Sequence, residues 1–166
     1  MRKAISAAAL LVFGVLPVLA DQASCDYARS KANPDNFSAK KAAAQTSAYG
    51  NNADHVATVA RYNAMKAGLT QQQKQAVESR LNSAASELDT QYEAMNEGNA
   101  KYALGEDEWE NSDFWYGVPD YALSQEDAVD AYAKFNTAVT YFDLSLAAGG
   151  RCYGFLVEAN ALMDGY

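Results

Sequence analysis

At 166 residues, 49% hydrophobic and 20% charged, the chain has the length of one domain with a modest core. Its formal net charge of −8 disfavours nucleic acid and anionic membrane surfaces as partners, since both require a basic footprint. One histidine and two cysteines exclude the multi-histidine and multi-cysteine metal centres.

The first twenty residues stand apart. Arg2 and Lys3 precede an apolar run from Ala4 to Leu19 that contains Gly14 and Pro17, and Val18-Leu19-Ala20 places small or medium residues before a cut. This is the pattern of a secretory signal peptide, and the run is short for a stable membrane span. Cleavage after Ala20 leaves residues 21–166 as a single domain, periplasmic or secreted. It removes two of the 13 bases, so 11 bases face 21 acids and the net charge becomes −10. In an exported chain the even pair Cys25 and Cys152 reads as a disulfide. Closing so long a loop contributes about 4–5 kcal/mol by chain entropy. A lipid on Cys25 is the rival reading, but Asp21 and Gln22 stand where a lipobox wants an apolar residue.

Asp21 to Asn33 is polar and alanine-rich, a short helix stopped at Pro34. Ser38 to Gly68 predicts a long helix with the stripe Ala42, Thr46, Tyr49, Ala53, Val56, Ala60 and Asn63, and a weak point at Gly50-Asn51-Asn52. A short link then leads to Thr70, so this helix and the next form an antiparallel hairpin. From Thr70 to Gly105 the series Val77, Leu81, Ala84, Leu88, Tyr92, Met95 and Tyr102 alternates steps of four and three, with polar Asn99 in its gap. Thr70 and Gln73 form a capping-box start, and Gly105 suits a C-terminal stop. Thr46, Asn63 and Asn99 sit at the edge of the seams or set register within them.

Residues 106–123 read as an acidic, aromatic connection broken by Gly117 and Pro119. Ser124 to Asp127 opens another helix with a hydroxyl cap and acids in its first turn. Its stripe is Ala128, Tyr132, Phe135, Val139, Phe142 and Leu146, ended by Gly149-Gly150, and Arg151 to Met163 forms a short final helix. The expected fold is all-α: an antiparallel helical bundle of three long helices plus short terminal helices, its N- and C-terminal segments linked by the disulfide.

Catalytic motifs are sparse. His55, the one histidine, lies inside the second helix beside Asp54, the position of a surface or boundary residue rather than a base. Glu106, Glu108 and Glu110 alternate as calcium ligands do, without the glycine and distant glutamate of an EF-hand. No zinc motif, phosphate loop or nucleophile elbow is present, and no cofactor is implied. The unusual stretch is Tyr102 to Ala133, with nine acids, no Lys or Arg, and both tryptophans of the chain. Its rings and acids, Trp109, Phe114, Trp115, Tyr116 and Tyr121 with Glu108, Glu110 and Asp113, suit a protein or peptide partner, especially a basic one. The same rings also suit a plug across the end of the bundle. The expected function is therefore a non-enzymatic, partner-binding bundle. The alternatives are a periplasmic small-ligand or metal carrier and a glycan-cleaving enzyme built on paired carboxylates.

Overall fold

Apolar side chains at alternating steps of four and three bury one face of a helix against its neighbours, and that rhythm builds the whole molecule. The computed structural model describes residues 20–166; the expected leader, apart from Ala20, lies outside them. The described residues form α1 (Gln22–Ala32), α2 (Asp35–Met65), a 3-10 turn (Lys66–Gly68), α3 (Gln71–Gly117) and α4 (Tyr121–Asp164). No described helix is long and apolar enough to cross a membrane. Asp21 caps α1 by accepting from the Ser24 N–H at 2.8 Å. Thr70 and Gln73 close the expected capping box at the start of α3.

The helices make three rods. α3, with 47 residues, and α4, with 44, form one long antiparallel hairpin about 70 Å in length at 1.5 Å per residue. α1 and α2, separated only by Asn33-Pro34, follow one another along its side. Phe37 stacks on Phe135, Lys40 pairs with Asp143, Asn51 reaches the Gly149 carbonyl and Arg61 pairs with Asp164. The partners on α4 advance as the residue number on α2 advances, so this rod is parallel to α4 and antiparallel to α3. Three long helices pack together as expected. The short C-terminal helix is instead the last part of α4, which runs straight through Gly149-Gly150.

Glycine explains how α3 and α4 come so close. A Cβ on Gly98 would stand 2.5 Å from the Phe142 ring, and one on Gly105 would stand 2.7 Å from the Phe135 ring. One on Gly149 would collide with the Gln91 amide. Stepping back seven residues along α3, from 105 to 98 to 91, steps forward seven along α4, from 135 to 142 to 149. The three contacts thus share one register. Gly105 and Gly149 act as sockets inside continuous helices and stop neither of them.

The core is divided by a polar layer. Towards the α3–α4 turn, Ala32, Phe37, Ala44, Tyr102, Phe135 and Phe142 cluster with the alanines of α4. Towards the other end, Tyr62, Val77, Leu81, Leu88, Cys152, Leu156 and Met163 cluster. Between them lies Gln91, fully buried. Asn51 donates to the Gln91 side-chain carbonyl at 2.9 Å and to the Gly149 carbonyl at 3.0 Å, while Gln91 donates to the Ser47 hydroxyl at 3.0 Å. The expected weak point at Gly50-Asn51-Asn52 is therefore helical and central.

Two further expectations are corrected. The stripe foreseen on α2 is the solvent face: Tyr49 and Val56 are 62% and 60% exposed, and Ala42, Thr46, Ala53, Ala60 and Asn63 are exposed with them. The buried face is Phe37, Ala44, Ala48, Asn51, Thr58 and Tyr62. Alanine on both faces leaves little hydrophobic contrast, and the inner face carries Asn and Thr. The Cys25–Cys152 disulfide is not formed; both cysteines are free and buried. α1 packs beside Gln125, Val129 and Tyr132 at the start of α4. From Val129 to Cys152 along α4 is roughly 35 Å, whereas a disulfide needs Cα atoms within about 7 Å. Burial, together with Glu87 and Asp54, pushes the Cys152 thiol up from its ordinary value, which favours the protonated form over the reactive thiolate.

Two measurements follow. Gly98→Ala should lower the urea midpoint by the equivalent of about 1–3 kcal/mol through overpacking against Phe142. Gly150→Ala, whose Cβ meets nothing within 4 Å, should raise it by up to about 1 kcal/mol from helix propensity. Thiol titration of purified protein should find both cysteines slow to react when folded and both reactive in denaturant; no reactive thiol after denaturation would restore the disulfide.

Candidate partner-binding end of the bundle

The 106–123 segment is not a loop. Because Gly105 is a socket for Phe135, α3 continues to Gly117, and only Val118, Pro119 and Asp120 separate it from α4. Asp120 makes the turn: its N–H donates to the Trp115 carbonyl at 2.9 Å and its carboxylate accepts from the Leu123 N–H at 3.2 Å. Below the turn, Ser112 and Ser124 are fully buried, and each hydroxyl donates to the other residue's carbonyl at 2.8 Å. Ser124, expected as a helix cap, is thus an internal tie between α3 and α4.

Helical spacing sorts the eight candidate residues onto different faces. Trp109, Asp113 and Tyr116, at steps of four and three, face α1. Arg29 of α1 lies among them: its guanidinium carbon is 4.1 Å from the Tyr116 ring centroid and 5.2 Å from that of Trp109, and it pairs with Asp113. The Tyr116 hydroxyl accepts from Gln22 at 3.0 Å and bonds to Asp26; the Asp26 bond is the main cause pushing its pKa above the ordinary value. Glu108 points to α4 and pairs with Lys134 at 2.5 Å. Tyr121 meets Tyr116 edge-on, centroids 5.5 Å apart.

Phe114 and Glu110 point the other way. Phe114 is 61% exposed and touches Trp115 edge-on at 4.9 Å. Glu110 is exposed on the same side, one helical turn away, with Asp107 a turn further. The candidates therefore divide into half-buried or paired residues (Trp109, Asp113, Tyr116 and Glu108 held by α1 and α4, Tyr121 against Tyr116, and Trp115 half-buried behind Phe114) and a displayed pair, Phe114 and Glu110. The alternating acids Glu106, Glu108 and Glu110 do not form a calcium set, because residues two apart on a helix point to opposite sides. Among the described residues no group of three or more His, Cys, Asp or Glu is gathered closely enough to hold a metal ion. Beside this end an open groove of about 790 Å³ runs between α1 and α4, lined by Tyr27, Lys31, Val129 and Tyr132 among others.

Sequence reasoning passed over Arg29, Gln22, Asp26 and Lys134. Gln22, Asp26 and Arg29 stand at steps of four and three on α1, so their shared face was legible; what it faced was not. The division has a measurable consequence. Trp109→Ala should cost roughly 1–3 kcal/mol, less than a fully buried tryptophan, while Phe114→Ala should stay within about 0.5 kcal/mol of the parent in thermal unfolding.

Comparison of the chain with protein-family models, with curated proteins and with solved structures found no match.

Proposed function

We propose that the protein is an exported, non-enzymatic helical bundle that binds a protein or peptide partner through the acidic, aromatic end of its α3–α4 hairpin. The observation that carries the reading is Phe114, 61% exposed on a helix fixed by its neighbours, with Trp115 in ring contact and Glu110 beside it. Exposed rings supply contact area at little conformational cost, and carboxylates steer a basic partner. Glu106, Asp107 and Glu110 are exposed on α3, and add to the negative field around Phe114. Export rests on the signal-peptide pattern of residues 1–20 alone.

The test is capture by crosslinking in the native host, comparing the parent chain with Phe114→Ala and with Glu110→Lys. Both variants should keep the parent helicity, and both should lose the crosslinked partner at least tenfold. Capture should also weaken as ionic strength rises. Undiminished capture by folded Phe114→Ala would assign the rings a purely structural part.

A further inference from the structure

The inner face of the same end encloses an arginine, and the inference drawn from it rests on the partner-binding reading above. Arg29 is enclosed, its side chain 17% exposed, between the rings of Tyr116 and Trp109 and against the Asp113 carboxylate. Its Nη1 is buried and makes no hydrogen bond among the described residues. Two ring faces and a carboxylate select a planar, weakly hydrated guanidinium over a compact ammonium.

Socket and occupant belong to parts of unequal strength. The three socket residues stand on α3, which the α4 seam fixes along its length. Arg29 stands on α1, an 11-residue helix whose buried side chains are only Cys25 and Ala32. A helix so short is not stable alone, and its apolar footprint is small. It joins α2 through Asn33-Pro34, where the backbone leaves the helical region.

We propose that Trp109, Asp113 and Tyr116 form an arginine-recognising socket that the chain keeps filled with its own Arg29. An arginine-bearing helical segment of the partner takes Arg29's place as α1 swings aside about Asn33-Pro34. Occupation within one chain makes Arg29 a competitor at roughly millimolar effective concentration, so α1, acting as a strap over the socket, sets the affinity threshold for the partner.

The experiment uses the whole chain with Arg29→Met, which keeps the apolar stem and removes the guanidinium. Ethylguanidinium is the probe, ethylammonium at equal ionic strength the control, and tryptophan emission the readout. The variant should respond saturably to ethylguanidinium, at least tenfold more tightly than to ethylammonium. Adding Asp113→Asn should abolish the response, and the parent chain should respond at least tenfold more weakly. Equal responses to the two cations, or in parent and variant, would overturn the proposal. Should Arg29→Met lose helicity, hydrogen exchange on the parent chain decides: ethylguanidinium must speed exchange in α1 and leave residues 106–117 protected, and coincident exchange of the two counts against the strap. If ethylguanidinium binds as expected while Phe114→Ala captures the partner normally, the outer-face reading fails and the socket stands.

Discussion

The seam between α3 and α4 is the constraint on which the molecule depends. Two phenylalanines, Phe135 and Phe142, enter spaces left by Gly105 and Gly98, and Gln91 enters the space left by Gly149. Each pair is wide on one helix and narrow on the other, so sliding the helices by one heptad would set Phe142 against Gln91 in one direction or Phe135 against Ser112 in the other. Such complementarity fixes register more sharply than a uniform leucine seam would. It also keeps both helices unbroken, which carries the acidic aromatic segment to the end of a long rod as ordered helix.

The first rod is attached by different means. Its inner face is mostly small or polar, and three of its cations, Arg29, Lys40 and Arg61, pair with Asp113, Asp143 and Asp164 of the hairpin. The two more exposed pairs, Lys40–Asp143 and Arg61–Asp164, contribute about 0–1 kcal/mol each, so they align the rod more than they stabilise it, while Arg29 is more enclosed. The Asn51–Gln91–Gly149 layer supplies a stricter alignment. A buried amide that loses its partner costs roughly 1–3 kcal/mol, and only one placement of α2 satisfies this one. Ser47 lies one turn before Asn51, and its bond to Gln91 adds to the same restriction.

The fold class was legible because Val77, Leu81, Leu88 and Met95 are large and apolar against a polar background, so the period of α3 is plain. Where that contrast fades the reading failed. On α2, alanine occurs on both faces, and the buried positions include Asn51 and Thr58. Gly98 and Gly105 carry no local sign of the rings opposite them, so Gly105 looked like a stop and everything beyond it like a loop. Within 106–117 the seam positions include Trp109 and Ser112 rather than a run of aliphatic residues, which hid the helical period. Cysteine parity suggested a bond, but parity carries no information about distance along a rod. Of the candidate site, the composition and the residues were visible in the sequence. Their sorting into held and displayed faces required knowing that α1 lies against Trp109 and Tyr116.

All of these conclusions depend on α3 and α4 being continuous through their glycines. Small-angle X-ray scattering of the purified chain tests that most directly. Unbroken helices of 47 and 44 residues require a maximum dimension of at least about 70 Å and a radius of gyration near 20 Å. A maximum dimension near 40 Å with a radius of gyration of about 15 Å, the value for a compact domain of this size, would mean that the helices fold back at those glycines, and would contradict the account.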